Sequence, residues 1–263
     1  MSASQTTLGR GSEQQVELSI GCVPLRLHVC DARLFSEARE RYRAFAAGET
    51  QPYSVYLEDS FRENGKNPEF AYDFTAQKAA LRAFSTESQF IGAKNAYALD
   101  SLLRILLSWV LLRHSGFLLH AATVVRNDRA YVFTGSSGAG KSTVASLSPP
   151  GSVLTDEISL LRRENGEWRA YGTPFWGEFR AAGSNRSAPV AGIFGLKHAR
   201  GNFVEALGPA GLLRNILPNV LFFSGEPAAN QRLLEILGQA VKEISGYTLA
   251  FRRDRTFWEA LPS

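Results

Sequence analysis

The sequence predicts an α/β protein with a larger C-terminal domain and a small N-terminal α+β accessory domain. An apolar strand pattern at Ala130–Phe133 runs directly into a glycine-rich segment, and a helix start follows that segment. A long amphipathic helix pattern at Tyr97–His114 precedes the strand. Residues 1–94 instead alternate short strand patterns with one helix pattern, and they contain no catalytic motif. We therefore predict two domains, at residues 1–94 and 95–263.

The composition is that of an ordinary globular protein. Of the 263 residues, 44% are hydrophobic and 21% are charged, which excludes a disordered or low-complexity chain. The net charge is only +4, and nucleic-acid-binding domains normally concentrate Lys and Arg on one element or face. The one tight cluster here is Arg252, Arg253 and Arg255, which we interpret as a solvated face, with a phosphate or polyanion contact as the alternative. We predict no nucleic-acid partner.

Cysteine content and hydropathy point to a cytoplasmic protein that does not engage a membrane. Cys22 and Cys30 are too few for a disulfide framework, and we interpret them as small buried hydrophobic residues. Met1–Gly11 is polar and has no apolar core, so it does not predict a signal peptide. The most apolar stretch, Leu102–Leu112, is interrupted by Arg104 and is too short to span a bilayer.

In the accessory domain, the segments Val16–Ile20 and Leu25–Val29 predict a β-hairpin with a turn that begins at Gly21. In Ala32–Ala47 the charged residues are spaced as on the face of a helix, so we predict a helix that ends at Gly48. Three further strand patterns follow. They are Tyr53–Leu57, Phe70–Phe74 and Gln89–Ile91.

In the C-terminal domain, the strand predicted at Phe117–Val125 carries His120 and should pair with the strand at Ala130–Phe133. Asn165-Gly166 lies between two alternating segments and is a strong hairpin signal. The remaining patterns predict strands at Ile158–Arg163, Glu167–Tyr171, Gly192–Leu196 and Tyr247–Phe251, and helices at Leu212–Leu217 and Gln231–Ile244. The buried stripe predicted for the last helix is Leu233, Leu234, Leu237 and Val241.

The glycine-rich segment is a complete phosphate-loop (Walker A) motif, G-x-x-x-x-G-K-[ST]. Glycines let backbone N–H groups turn inward around a phosphate without a Cβ clash. A flexible turn between strand and helix is the alternative interpretation, but the flanking strand and helix favour the phosphate loop. The predicted nucleotide-binding residues are Gly135, Ser136, Ser137, Gly138, Ala139, Gly140, Lys141, Ser142 and Thr143.

The motif predicts ATP and Mg²⁺ as ligands. In such loops the lysine, here Lys141, reaches the β- and γ-phosphates, and the hydroxyl at Ser142 ligates Mg²⁺. The loop itself does not choose between ATP and GTP, but the chain lacks the Asn-Lys-x-Asp guanine signature. The helix that begins here should be short, because Pro149-Pro150 must end it.

An acidic pair, Asp156 and Glu157, follows soon after the loop. Carboxylates beside a phosphate loop can ligate Mg²⁺, so the predicted metal ligands are Ser142, Asp156 and Glu157. A carboxylate there could also act as a base toward an acceptor hydroxyl. The alternative is an exposed hairpin start with two solvated acids. For His120, spacing alone favours a hydrogen-bonded core residue over a catalytic one.

The order of Leu119-His120, Gly135–Thr143 and Thr155-Asp156-Glu157 resembles the catalytic domain of HPr kinase/phosphorylase, a bacterial serine kinase related to phosphoenolpyruvate carboxykinase. The resemblance covers Gly116–Leu161 well and the rest of the C-terminal half loosely. The chain is more similar to the free-standing HPr-kinase-like proteins, some of which are associated with modification of ribosomal peptides such as lasso peptides. The family usually has Gly after the histidine, where this chain has Ala121, and Asp-Asp where it has Asp-Glu.

The resemblance implies a role for each matched residue. Asp156 would be the base that takes the serine proton, and Glu157 would hold metal or water. His120 would interact with the Asp156 base, so the resemblance implies that it is a catalytic residue. Lys141 and Ser142 would hold phosphate and Mg²⁺. The resemblance also implies an HPr-kinase-like fold for residues 95–263.

Three other segments are weaker candidates. Gly172–Glu178 is rich in turn formers and aromatics, and it is either an acceptor-binding lip over the site or a packed loop; packing is the favoured interpretation. Arg180 is a candidate phosphate contact. Lys197–Gly201 is a basic turn that is either solvated or neutralises transferred phosphate. We expect Trp258 to pack in the core.

We therefore predict a kinase that transfers the ATP γ-phosphate to a serine hydroxyl of a peptide or small protein in a Mg²⁺-dependent reaction. Two alternatives stay open: a small-molecule kinase that uses the same site, and a non-catalytic nucleotide-binding regulatory module. A homo-oligomeric state is compatible with the sequence. The identity of the acceptor, a reverse phosphorolysis reaction and the role of the N-terminal domain are not determined by these motifs.

Overall fold

The computed structural model describes residues 14–29, 31–48, 53–57, 70–73, 78–81, 87–90, 96–149, 151–175, 177 and 183–262. By its internal contacts the chain divides into two compact units. One comprises Met1–Leu18 and Pro24–Leu99, and the other comprises Ser19–Val23 and Asp100–Ser263.

The N-terminal strands are β1 (Gln14–Ile20), β2 (Val23–Val29), β3 (Tyr53–Leu57), β4 (Phe70–Asp73), β5 (Lys78–Leu81) and β6 (Glu87–Phe90). They form a sheet in the order β1-β2-β3-β6 and a separate β4-β5 pair. The adjacent β1 and β2 confirm the predicted hairpin. Strand β5 is absent from the prediction, because its Lys-Ala-Ala-Leu sequence lacks the β-branched and aromatic residues that favour strands.

The first helix is shorter than predicted. Helix α1 (Ala32–Arg41) is capped by Asp31, whose carboxylate accepts a hydrogen bond from the Leu34 N–H at 2.7 Å. A 3₁₀ turn at Arg43–Phe45 replaces the predicted extension to Ala47. Phe45 is fully buried in this turn. Burial of this ring in a tighter turn therefore overrides the helical charge spacing of the segment.

The helices and strands from Ala96 onward belong to the second unit, except for the first residues of their first helix, which precede Asp100. They are α2 (Ala96–Arg113), β7 (Gly116–Arg126), β8 (Arg129–Thr134), α3 (Lys141–Leu147), β9 (Val153–Thr155), β10 (Ile158–Glu164), β11 (Glu167–Tyr171), β12 (Ser187–His198), β13 (Phe203–Leu207), α4 (Pro209–Ile216), β14 (Val220–Leu221), α5 (Pro227–Glu243), β15 (Gly246–Phe251) and α6 (Phe257–Ala260). The sequence does not predict β13, which carries no buried residue and so lacks an alternating pattern.

The strands of this unit form one mixed sheet in the order β11-β10-β7-β8-β12-β15-β13, with β9 and β14 also pairing with β7. Strands β8, β12 and β15 are parallel to one another, whereas β7, β10 and β11 pair antiparallel. A large mixed sheet with several helices confirms the predicted α/β class at that level. Because β8, β12 and β15 are parallel, their carboxyl ends lie at the same edge of the sheet.

Pairing of β7 with β8 confirms that the strand of His120 neighbours the strand that leads into the glycine-rich loop. The acidic pair does not lie beside β8, the strand that leads into the loop. Asp156 and Glu157 occupy the connection between β9 and β10, and both of these strands pair with β7 rather than with β8. The long β7 strand therefore links the loop to the acids.

An aromatic core fills one face of the sheet. Phe133, Phe194 and Phe251 are fully buried there, together with Phe257 from α6. The ring of Trp258 packs edge-on against Phe133, with the two ring centroids 5.8 Å apart. This contact confirms that Trp258 packs in the core.

Two predictions of burial are wrong. Leu234 is 56% exposed, and Ile236 takes its place in the buried stripe of α5 because Ile236 lies three residues after Leu233 and four before Ala240, which are both buried. Cys22 is exposed rather than buried, since it forms the turn after β1 with φ at +58°. Cys30 lies outside the described residues. Among the helices that are described, none is long and apolar enough to cross a membrane.

Candidate active site

Residues 135–140 form the loop between β8 and α3, as the motif predicts. Gly138 has φ at +78° and Gly140 has φ at +110°, which are left-handed backbone conformations that favour glycine. A Cβ at Gly140 would lie 2.6 Å from Cζ of Phe251, so the loop also packs too closely for a side chain there. Ser136 and Ser137 are exposed at the crest of the loop, where a ligand could reach their backbone N–H groups.

Lys141 turns its ammonium group back into the loop. Its side chain is buried, and Nζ donates hydrogen bonds to the carbonyl oxygens of Gly135 at 2.8 Å and Ser136 at 3.1 Å. Burial lowers the pKa of Lys141, and the negative charge of Glu157 opposes that effect. Lys141 is therefore within electrostatic range of the acidic pair. Ser142 and Thr143, in the first turn of α3, are half-buried.

His198 holds the crest of the loop from the neighbouring strand. Its Nε2 lies 2.8 Å from the carbonyl oxygen of Gly138, and because a carbonyl only accepts, Nε2 must carry the hydrogen. The imidazole also lies against the Phe251 ring, with centroids 6.1 Å apart. The sequence places His198 only in a basic turn. The alignment of β12 and β15 that brings it to the loop is not visible in the sequence.

The side chains of Asp156 and Glu157 contact different partners. Asp156 is 4% exposed, and its Oδ1 accepts a hydrogen bond from the Gly177 N–H at 3.1 Å. Glu157 is half-buried, and its Oε2 lies 3.5 Å from Nη2 of Arg104. The alternative of two solvated acids at a hairpin start is therefore wrong, because both carboxylates have partners within the fold.

Opposing effects act on the Glu157 carboxyl. Burial raises its pKa, and the adjacent charges of Asp156 and Asp100 raise it further, whereas the Arg104 guanidinium lowers it. Since Glu157 also interacts with Lys141, the structure brings the acidic pair into the electrostatic environment of the glycine-rich loop.

His120 lies beside this group of charges and is half-buried, not enclosed in the core. Its backbone carbonyl accepts a hydrogen bond from Thr134 Oγ1 at 3.0 Å. Burial lowers the pKa of His120, and the positive charges of Lys141 and Arg104 lower it further. These effects favour the neutral imidazole near pH 7. A carboxylate partner would shift the pKa in the opposite direction, so the predicted interaction of His120 with Asp156 stays a prediction.

Arg104 is a residue of this site that the sequence analysis missed. It lies on α2, and its guanidinium stacks on the ring of Phe175 at 5.2 Å while it faces Glu157. In the sequence Arg104 is only an interruption of an apolar helix, and no local pattern relates it to residues more than fifty positions away. Phe175 is 1% exposed, which confirms that its loop packs. Trp176 and Arg180 lie outside the described residues.

Two glycines fix the start and end of the segment that contacts Asp156. A Cβ at Gly172 would lie 1.9 Å from the Ser184 carbonyl oxygen, and a Cβ at Gly183 would lie 1.9 Å from the Thr173 carbonyl oxygen. The backbone therefore comes so close to itself that neither position has room for a side chain. Asp156 accepts its hydrogen bond from Gly177, within the segment that these glycines delimit.

The basic segments are exposed. Lys197, Arg200 and the Arg252–Arg255 segment follow or end β12 and β15, at the same sheet edge as the glycine-rich loop. Arg252 is paired with Asp254. Exposure of these cations agrees with solvated turns, the interpretation that we favoured for both segments.

Within the described part of the chain, no group of three or more His, Cys, Asp and Glu side chains is arranged to hold a metal ion. Mg²⁺ does not need such a cage, because it is commonly held by one or two carboxylates together with substrate phosphates and water. The hydroxyl of Ser142 and the carboxylates of Asp156 and Glu157 are oxygen ligands of the kind that Mg²⁺ prefers, so this donor set suits it.

Comparison with solved structures finds a distant likeness. The chain is similar to the Hpr(Ser) kinase/phosphatase from Coxiella burnetii at 14% sequence identity and a TM-score of 0.27, over 45% of this chain and 86% of that one. At this TM-score the likeness carries no argument about fold or function. No curated protein matches the sequence.

A protein family, in contrast, matches most of the chain. Residues 97–261 match the family described as SynChlorMet cassette protein ScmC. The matched segment includes Arg104, His120, the glycine-rich loop with Lys141, and the acidic pair, and it covers more than half of the 263 residues. The protein therefore belongs to the ScmC family.

Proposed function

We propose that this protein is an ATP- and Mg²⁺-dependent kinase that phosphorylates a serine hydroxyl of a peptide or small protein. The observation that carries the proposal is the geometry of the complete phosphate-loop motif, which lies between β8 and α3 with left-handed glycines and with the Lys141 ammonium group hydrogen-bonded to the loop carbonyls. Phosphoryl transfer requires cations at the phosphates and a carboxylate near the acceptor. This site provides both.

Backbone N–H groups of residues 135–143 would surround the phosphates, and the left-handed glycines give the loop the shape to do so. Lys141 would move its ammonium group from the loop carbonyls to the β- and γ-phosphates. Mg²⁺ would supply charge neutralisation at the phosphate oxygens, held by Ser142, Asp156 and Glu157. An HPr-kinase-like fold for residues 95–263 belongs to the same proposal.

The directions of the two acidic side chains support different roles. Glu157 interacts with Lys141 and Arg104, so it lies on the phosphate side of the site and suits the role of metal or water ligand. Asp156 instead accepts its hydrogen bond from the Gly177 N–H, and we propose it as the base toward the acceptor hydroxyl.

In the proposed reaction, Asp156 accepts the proton of the serine hydroxyl as the serine oxygen forms a bond to the γ-phosphorus. The bond from that phosphorus to the β–γ bridging oxygen breaks, and its electron pair leaves with ADP. We propose that His120 acts in its neutral form beside this carboxylate. The products are ADP and a phosphoserine.

The test is incubation of the purified protein with γ-labelled ATP, Mg²⁺ and a proteome depleted of nucleotide, followed by identification of labelled peptides by mass spectrometry. Label on serine supports the proposal. ATP turnover with label only on small molecules would show a small-molecule kinase. Nucleotide binding without any turnover would show a non-catalytic module. Either of these outcomes would contradict the proposed peptide kinase.

A further inference from the structure

Arg104 carries a positive charge and has few hydrogen-bond partners among the described residues. Its side chain is only 24% exposed, on the helix α2 that otherwise buries apolar residues. A guanidinium with this degree of burial is costly unless its five N–H groups find acceptors. The Arg104 guanidinium therefore requires hydrogen-bond acceptors at this position of α2.

The described residues satisfy only a small part of that need. One Glu157 oxygen lies 3.5 Å from Nη2, which is at the outer limit of a hydrogen bond, and no second oxygen pairs with the guanidinium. The Phe175 ring covers one face and accepts no conventional hydrogen bond. Nε is buried and has no hydrogen-bond partner among the described residues. A purely structural Arg–Glu pair would be expected to be short and bidentate.

The position of Arg104 indicates what the missing partner is. Glu157 interacts with Arg104 and with Lys141, and His120 experiences the positive charges of the same two cations. Two cations therefore act on one small region, from two elements that are far apart in the sequence. The carboxylates of Asp156 and Asp100 act on Glu157 in the same region, so an anion of more than one negative charge would bind there together with Mg²⁺.

We propose that Arg104 binds the terminal phosphoryl group of a nucleoside triphosphate in this site. The inference rests on the proposed function, because Lys141 must hold the same nucleotide. A planar guanidinium forms parallel, charge-assisted hydrogen bonds to phosphate oxygens, and the stacked Phe175 ring leaves the N–H edge of Arg104 available for them. Arg104 then distinguishes a triphosphate from a diphosphate.

The experiment measures the binding of two probes, ADP and the non-hydrolysable triphosphate analogue AMP-PNP, each with Mg²⁺, by titration calorimetry. The variants are R104Q, which removes the charge, and R104K, which keeps it. Arg113 lies on the same helix but is exposed, so R113Q is the matched control. Melting temperatures of all variants establish that the compared proteins are folded.

We expect R104Q to weaken AMP-PNP binding by about tenfold or more, since a hydrogen bond to a charged group is lost, and to change ADP binding by less than about threefold. R104K should restore part of the AMP-PNP affinity, and R113Q should match the wild type. An equal loss for both nucleotides, or no loss for either, would overturn the inference.

A second comparison separates phosphate binding from simple neutralisation of Glu157. The effect of R104Q on the ratio of AMP-PNP to ADP affinity is measured again in an E157Q background. If Arg104 only neutralises Glu157, R104Q has no further effect there, and the inference fails. If Arg104 binds phosphate, the loss persists. Failure of nucleotide binding has a different result, because the wild type would then bind neither ADP nor AMP-PNP, and failure of peptide phosphorylation is detected separately by the labelling experiment.

Discussion

The two halves of the large sheet contribute to the candidate site in different ways. The parallel strands β8 and β12 contribute a loop whose working groups are mostly backbone atoms, together with Lys141 and the supporting His198. The antiparallel strands β7 and β10 instead position side chains, His120 and Glu157. The site groups of the parallel half depend mainly on the local conformation of the loop. Those of the antiparallel half depend on how the strands align with each other. Substitutions in the parallel half should therefore change mainly nucleotide affinity, and those in the antiparallel half should change mainly the rate of phosphoryl transfer.

The largest effect is expected from K141A, in the parallel half. We expect Mg²⁺-ATP binding to weaken by about 100-fold or more, because hydrogen bonds to charged groups are worth about 1.5–3 kcal/mol each and Lys141 would make several. Calorimetry measures the affinity. Lys242, exposed near the end of α5, provides the control K242A. Unchanged ATP binding and turnover in K141A would show that the phosphate-loop assignment is wrong.

The next effect is expected in the antiparallel half. D156N keeps the shape of the side chain but cannot accept a proton, so the rate of phosphoryl transfer should fall by roughly 10²–10⁴. E157Q should reduce the rate less. Single-turnover kinetics measure both variants, and D128N, in the exposed β7–β8 turn, is the control. A larger loss in E157Q than in D156N would mean that the roles of the two acids are reversed.

A smaller effect is expected from H198A, which removes the support of the loop without removing a proposed ligand contact. Loss of one neutral hydrogen bond, worth about 1 kcal/mol, should raise KM for ATP by about fivefold and leave kcat within about twofold. H198Q retains an N–H donor and should recover part of the affinity. If kcat falls while KM is constant, His198 does not act through the loop.

The smallest effect concerns Glu243, on α5, which links that helix to Arg163 of β10 and Trp168 of β11. The Arg163 hydrogen bond lowers the pKa of Glu243 below its ordinary value of 4.5. Since the folded pKa is lower than the unfolded one, the carboxylate stabilises the fold above pH 4.5, and this contribution is lost as the pH falls.

Because the Arg163–Glu243 pair is partly exposed, E243Q should cost less than about 1 kcal/mol at pH 7. The difference in melting temperature between E243Q and the wild type should shrink as the pH falls below 4.5 and the wild-type carboxyl becomes protonated. Glu235, on the exposed face of α5, gives the control E235Q, whose difference should be small at pH 7 and at low pH. A difference between E243Q and wild type that persists at low pH would exclude the ionised carboxylate as its cause.

The sequence predicts the glycine-rich loop of the parallel half because its conformation is local. The loop at residues 135–140 needs left-handed glycines, and the Asn165-Gly166 hairpin has the positive φ angles that this dipeptide favours. The sequence does not predict Arg104 or His198 as parts of the site. Arg104 contacts a carboxylate 53 positions away, and His198 contacts a carbonyl 60 positions away. Only the packing of α2 and the parallel register of β12 bring these residues to their partners.

The close approach of the backbone at Gly172 and Gly183 has a consequence for protein engineering. Main-chain packing against Ser184 and Thr173 fixes the chain at both positions. A replacement of different length can therefore be grafted between the two glycines with its ends already positioned. The junctions must keep both glycines, and a library should also retain Phe175 for its contact with Arg104 and Gly177 for its hydrogen bond to Asp156.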